Sequence, residues 1–543
     1  LEEAVWMSHG DSVLEVPEGY EVTARTKGGI IAAMANYKAK RYGVQFHPEV
    51  THTANGNEIL SNFVFNVCRC EKNYEIADRI EAKRNYIRQK VGDRKVLLLL
   101  SGGVDSTVAA KICLDVLGPD KVYGIHVDNG FMRMGESEEV FEMYRRMGFK
   151  DENLKLVKAE EEFLKASTLI ELKKPAKLIL PDGSETMAAG YYTLPLEEVI
   201  NPEEKRKIIG DTFMRLAFRE MKAFGIDSEK DYLVQGSLFT DLIESGSKVA
   251  SKEEIADMIK THHNDTPLAR MFRETGHLLE PNMFDYKDDI RVQAEMLGLE
   301  KRIAQRRPFP GPGTAIRILC ADKPHITHDF NDVLDKLQDT VHDLSGGRMK
   351  GYLVPVPTVG VQGDGRTYDY LALLEADGIA LDKRDTWELA YAIANKIPEV
   401  IKADKEKGTH GINRVAFLLA PEKTSLENVL RILPTRLTAD KRKASRLVHL
   451  LGDTLLDAFD PEFLFAQMPC PTFPSDISGK GLSSAAERLL MTDDFMTGRA
   501  VMPVIDLDWE FFDIFRRRAL NIPGIGAFVA DISSKPPATT CWE

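Results

Sequence analysis

Residues 96–117 read "VLLLLSGGVDSTVAAKICLDVL", and the break inside this stretch decides the fold. Val96 to Leu100 is an aliphatic run without alternation, the pattern of a strand buried on both faces. Val108, Ala109, Ile112, Cys113 and Val116 then recur at helical spacing, as on a helix packed against a sheet. Between them, Gly102 and Gly103 permit tight or left-handed backbone and let a ligand approach the main chain. A strand therefore turns sharply into a helix N-terminus, where unpaired N–H groups and the helix dipole favour an anion. Ser101, Ser106 and Thr107 add hydroxyl groups. Asp105 would repel an anion unless a cation lay between them, which points to Mg2+. Taken alone, the same residues also suit an ordinary strand-to-helix turn in which Ser and Asp cap the helix.

Further strands lie on either side. "KVYGIHVDNG" (121–130) and "DYLVQGSLFTD" (231–241) are apolar runs ending in polar residues, separated by helical stretches. This alternation predicts an α/β fold with a doubly wound parallel sheet. Ligands of such sheets bind at the carboxyl ends of the strands, where Ser101–Ser106, Asp128 and Gln235-Gly236 would converge. "RRPFPGPGTAIR" (306–317) is a rigid loop closing this region, and a long α+β region follows it. Upstream, residues 1–70 alternate short β-like pieces with turns, and "EKNYEIADRIEAKRNYIRQK" (71–90) reads as a linker helix. The expected units are 1–70, a linker over 71–95, a parallel-sheet domain over 96–317 and an α+β domain over 318–543. A chain of 543 residues has room for roughly three to four domains. No internal repeat is visible.

Composition excludes several classes. A net charge of −13 disfavours nucleic acid as an electrostatically driven partner. No stretch approaches the length of a membrane span, and the first residues lack a signal-peptide pattern. Six cysteines, of which only Cys68 and Cys70 are close, give neither a disulfide framework nor zinc spacing, and a reducing cytosol is expected.

No Walker A loop and no Gly-x-Gly-x-x-Gly turn occurs. Ser101-Gly-Gly-Val-Asp-Ser106 resembles the pyrophosphate-binding loop of the ATP pyrophosphatases. "NPEEKRKIIGDTF" (201–213), "LVQGSLFTDLIES" (233–245), "IKTHHND" (259–265), "PFPGPGTAIR" (308–317), "TVGVQGDGRTYDY" (358–370), "DFMTGRA" (494–500) and "SKPPATTCWE" (534–543) follow in order, and together they closely resemble GMP synthetase. The resemblance implies amination of xanthosine 5′-monophosphate to GMP through an adenylated intermediate, with ATP and Mg2+, and release of AMP and pyrophosphate. It implies that Ser101, Gly102, Gly103, Val104, Asp105, Ser106 and Thr107 bind the ATP phosphates, that Asp105 holds Mg2+, and that Lys260 faces the same phosphates. It assigns Arg206, Asp364, Gln467, Lys535 and Glu543 to the xanthosine monophosphate site, and the C-terminal region to a homodimer interface.

By their own pattern, Arg206 would be a solvated helix face, Asp364 a turn residue, and His262 and His263 structural rather than metal ligands. Two prolines and an aromatic near the end suggest a tail that folds over substrate. Cys541 stands where the family has a nucleotide-contacting Glu, so either Glu543 or the terminal carboxylate substitutes, or the base contacts are weaker. Arg307 stands where the family has His, which would add positive charge near the phosphates.

"VWMSHGD" (5–11) and "VQFHPEV" (44–50) resemble the end of a class I glutamine amidotransferase. That resemblance makes His47 the general base for a cysteine nucleophile and Glu49 the residue that orients it. No Gly-x-Cys-x-Gly elbow occurs in these residues, so the domain is expected to begin partway through and to pack poorly. This polypeptide would then draw nitrogen from ammonia, and the complete enzyme from glutamine. NAD synthetase, argininosuccinate synthetase and asparagine synthetase share the loop but lack the 201–213 and C-terminal stretches. A catalytically weakened nucleotide-binding paralogue is the other alternative, opposed by intact Ser101–Ser106, Lys260 and Lys535.

Overall fold

The computed structural model describes residues 2–7, 9, 11–50, 53–179, 185–239, 267–307, 309, 311–362, 365–404, 407–460, 467–492 and 497–543. Near the N-terminus, β1 (Glu21–Arg25), β2 (Ile31–Asn36) and β3 (Arg41–Val44) form an antiparallel sheet in that order. Its core is thin. Ile31, Ala32 and Ala35 are buried, whereas Leu14, Tyr37, Tyr42 and Phe63 stay exposed.

The charged helix Ile76–Val91 is not a solvated spacer. Ile80, Ile87 and Val91 are buried. Its buried Lys83 reaches Asp285 at 2.5 Å and Asn282 at 2.8 Å, which fastens the helix to the parallel-sheet region.

That region contains β4 (Val96–Leu99), β5 (Val122–Asp128), β6 (Leu154–Lys158), a hairpin of β7 (Leu169–Ile179) and β8 (Glu185–Tyr192), then β9 (Tyr232–Val234) and β10 (Leu278–Leu279). Five strands form one sheet in the order β10-β9-β4-β5-β6, every pair parallel. The first strand is central, and the chain builds outward on one side before crossing to the other. This is the doubly wound arrangement expected from the apolar runs, with its topological switch between β4 and β9. The loops after those two strands, 100–103 and 235–238, flank the crevice.

The C-terminal region has a sheet of six strands: β11 (Met349–Gln362), β12 (Gly365–Ala376), β13 (Ile412–Ala420), β14 (Thr472–Phe473), β15 (Ser483–Glu487) and, beyond a ribbon of β16 (Leu490–Met491) and β17 (Arg499–Ala500), β18 (Ile525–Asp531). Their order is β11-β12-β13-β18-β15-β14. The helix Phe330–Ser345, β11, β12, the helix Arg384–Val400 and β13 make one αββαβ unit. The helix Ala439–Phe459, β14, β15, the helix Trp509–Ala519 and β18 make a second. In each, the hairpin is antiparallel and the third strand runs parallel to the second. The units join edge to edge through the antiparallel β13–β18 pair. The sequence showed no repeat because β14 keeps only two residues where β11 has fourteen. The four helices cover one face of the sheet, and Leu319, Val354, Leu373, Phe473 and Trp542 pack on the other. Among the described residues, no helix is long and apolar enough to cross a membrane.

Candidate active site

The loop after β4 opens the helix Val104–Leu117, with extended Gly103 at its N-cap. Gly102 has φ +76°, and a side chain there would collide with Val140 at 2.5 Å. The hydroxyls brace the turn: Ser101 Oγ and Ser106 Oγ lie 3.1 Å apart, and Thr107 Oγ1 donates to the Gly103 carbonyl at 2.8 Å. Tyr144, fully buried, meets the Thr107 hydroxyl at 3.0 Å. Gly236, after β9, packs so closely that a Cβ would lie 2.8 Å from the Asp105 backbone. Only glycine lets the two switch-point loops touch. Asp128, at the end of β5, accepts the Gly130 N–H at 3.0 Å.

Asp105 sits on the first helical turn, and Lys287 grips both of its carboxylate oxygens, at 2.8 and 2.6 Å. Asn282 donates to the Asp105 carbonyl at 3.0 Å. Lys287 has no local signature: "FDYKDDI" reads as a polar helix start, and its partner lies 182 residues away.

A chain of charged contacts ties this loop to the C-terminal region. Arg306 donates to the Gly102 carbonyl at 2.8 Å and pairs with buried Glu136. Glu136 also pairs with Arg133, which lies 3.1 Å from Asp453. His449 Nε2 accepts from Arg317 at 2.8 Å and from Arg133 at 3.2 Å, and burial holds its pKa well below the usual histidine range. The Arg133 and Arg317 guanidinium groups stand 4.5 and 4.4 Å from the Phe309 ring centre, and the His449 imidazole stacks on the same ring at 5.3 Å. Arg307 does not present free charge to the phosphates as expected. It pairs with Asp457 at 2.9 Å and Asp460 at 3.3 Å, so acidic groups on and beside the helix Ala439–Phe459 neutralise it.

The tail brings some of the expected nucleotide residues together. Lys535 Nζ donates to Thr540 Oγ1 at 2.9 Å, and Thr540 donates to Gln467 at 3.0 Å. Arg206 meets the main-chain oxygen of Glu543 and pairs with Glu203 at 2.8 Å. Glu543 does not stand in for the carboxylate missing at Cys541. Its buried side chain turns to Lys205 at 2.7 Å and to the Cys320 N–H at 3.2 Å, and burial raises its pKa against the pull of Lys205.

The tail is also anchored from within. Trp542 is buried, and its indole N–H donates to Asp531 at 2.8 Å. Asp531 is held by Arg414 at 2.6 Å and Arg488 at 2.7 Å, all three fully buried. Arg414 donates to the carbonyls of Thr539 and Cys541, and Arg488 to those of Thr539 and Ser533, so the buried charges anchor the tail. Lys260 and Asp364 lie outside the described residues, as do His262 and His263.

Just past β3, His47 Nδ1 and Glu49 Oε1 are 2.9 Å apart, and the main chain of His47 pairs with Trp6. The imidazole is about half exposed.

Residues 2–67 match the class-I glutamine amidotransferase family, and residues 75–174 the NAD synthase family. The chain is 37% identical to GMP synthase (glutamine-hydrolyzing) of Dictyostelium discoideum, over 99% of this chain and 75% of that protein. It is 34% identical to a probable GMP synthase of Caenorhabditis elegans, over 100% of this chain and 76% of that protein. With GMP synthase of Aquifex aeolicus it shares 38% identity over 77% of this chain and 73% of the other. Among solved structures, an NH3-dependent NAD synthetase from Campylobacter jejuni aligns with 14% identity and a TM-score of 0.28, over 43% of this chain and 78% of that one.

Proposed function

This chain belongs to the GMP synthase family, and we propose that it aminates xanthosine 5′-monophosphate to GMP between the switch-point loop and the C-terminal tail. The oxygen on C2 of the purine is a poor leaving group. ATP adenylates it and pyrophosphate departs; ammonia then attacks C2 and AMP leaves. The N–H groups and hydroxyls of Ser101–Thr107 would hold the phosphates that become pyrophosphate, in a geometry preset for their charge. A magnesium ion fits this loop, because such ions are held by one or two carboxylates together with phosphate oxygens, and Asp105 offers one carboxylate. When bound, the ion would offset charge on the departing pyrophosphate. Among the described residues, no cluster of three or more His, Cys, Asp or Glu is set to hold a metal unaided.

Lys535 and Gln467 would receive the nucleotide beside Thr540, with Arg206 at the edge. Lys260 and Asp364 keep the phosphate-facing and nucleotide-binding roles that the family resemblance implies. Glu543 is a structural anchor in this reading. His47 and Glu49 would form the base and its orienting carboxylate in glutamine hydrolysis. We place the amidotransferase part at 1–70, the connecting helix at 71–95, the ATP pyrophosphatase domain at 96–317 and the C-terminal domain at 318–543. In place of the homodimer, we propose a monomer: two αββαβ units already meet through β13 and β18 as paired subunits would. Light scattering at the mass of one chain would support this. Six unpaired cysteines suit a reducing cytosol.

The observation that carries the reading is the glycine-rich loop at the switch point, tied by Arg306, Glu136 and Arg133 to the region that holds Lys535. The polypeptide of residues 1–543 should release AMP and form GMP from xanthosine monophosphate, ATP and ammonium salts. Glutamine should not replace ammonium. AMP release that is independent of xanthosine monophosphate would overturn the substrate assignment.

A further inference from the structure

The carboxylate that faces the phosphate loop is already neutralised. Lys287 and Asp105 are each about a quarter exposed, so the ammonium can reach water and whatever enters the crevice. Lys287 opens the helix Lys287–Met296, whose Ile290, Gln293 and Ala294 are buried. Its Cα is therefore fixed, while the flexible four-carbon stem lets the ammonium swing. Asp105 is positioned by other groups: Asn282 holds its carbonyl and Gly236 packs on its backbone. The ion pair can open without disturbing the loop.

The helix N-terminus attracts anions, but a bare carboxylate on its first turn would oppose a polyphosphate. We propose that Lys287 is the resident counterion of this loop. It neutralises Asp105 while the loop is empty. With phosphates in the loop and a divalent cation held by Asp105, the Lys287 side chain would swing so that its ammonium pairs with a phosphate oxygen. A compact ammonium suits this exchange better than a guanidinium, whose fork would lock onto the carboxylate. The proposal rests on the reading of Ser101–Thr107 as a phosphate site.

Calorimetric titration of the full chain with inorganic pyrophosphate, in EDTA and in Mg2+, tests it. In EDTA, Lys287→Gln should weaken binding about 10- to 100-fold, the scale of one charge-assisted hydrogen bond, because the uncovered carboxylate repels the ligand. Adding Asp105→Asn to that variant should recover most of the loss. In Mg2+, Lys287→Gln should still bind roughly 10-fold more weakly, because the phosphate contact is gone. Thermal melting of the single and double variants should match the wild type. Wild-type affinity for Lys287→Gln in both buffers, with lowered melting, would make Lys287 a strut and overturn the proposal. A wild-type chain that binds no pyrophosphate in either buffer would overturn the phosphate-site reading itself.

Discussion

Asp105 and Asp531 are both aspartates clasped by basic side chains, and they differ in access to water. The Asp105–Lys287 pair lies at the mouth of a crevice, a quarter exposed. Asp531, between Arg414 and Arg488, is sealed beneath the tail with its partners. The first pair reaches water, so it can open at far lower cost than a sealed one. Removing one partner of a buried cluster leaves uncompensated charge and costs about 3–5 kcal/mol. Charge therefore serves a reversible task in the parallel-sheet region and a permanent one in the C-terminal region.

The sealed cluster should show the largest effect. Asp531→Asn would leave two buried guanidinium groups without a counter-charge and weaken the hold on the Trp542 indole. A loss of roughly 3–5 kcal/mol is expected, read as a strongly lowered melting temperature or denaturation midpoint. Melting within a degree or so of wild type would break the contrast.

The open pair should behave the other way. Asp105→Asn should leave melting within about 0.5 kcal/mol of wild type, the usual scale for surface changes. Turnover with ammonia should fall by roughly 10²-fold, the scale of losing one preorganised charge-stabilising group. A variant that melts early and turns over normally would make Asp105 a helix cap. Lys535→Ala is expected to weaken xanthosine monophosphate binding by about 1.5–3 kcal/mol, the worth of a hydrogen bond to a charged group. ATP affinity, measured in parallel by calorimetry, should not move.

The sequence made the parallel sheet and its switch-point loop legible because both are local. An unbroken aliphatic run, two glycines and a helical stripe lie within 22 residues, Val96 to Leu117. Lys287 was not legible, since its chemistry exists only when a segment 182 residues away is folded beside Asp105. The tail was half legible. Its prolines and terminal aromatic signalled order, but Trp542 is buried because Arg414, Arg488 and Asp531 build a polar floor from three separate strands or their ends. The paired αββαβ units escaped notice because topology repeats there while strand length does not.

Glu487 offers the finest comparison, because it neighbours the sealed cluster yet carries the opposite shift. It is buried on β15, and its described hydrogen bond comes from the Leu489 N–H at 3.0 Å. Burial pushes its pKa from 4.5 up to about 8, with nearby Asp531 adding to the rise. Asp531 itself is held below the ordinary value by Arg488 and Arg414, against the cost of its burial. The two groups therefore mark different pH windows. A carboxylate with a lowered pKa stabilises the fold above its unfolded pKa, and that contribution is lost in acid. Glu487, with a raised pKa, keeps its proton in the fold and loses it in the unfolded chain. Its contribution is full below about pH 4.5 and is lost as pH rises towards about 8. Each pH unit across that window is bounded by about 1.4 kcal/mol. Glu487→Gln keeps an acceptor for the Leu489 N–H and cannot ionise. Its stability relative to wild type should therefore rise steadily from pH 5 to about 8, the window that its shift defines. Denaturant midpoints of the two proteins, compared at each pH, measure that difference directly. A constant difference across the window would show that Glu487 is ionised in the fold, balanced by Arg488 as Asp531 is.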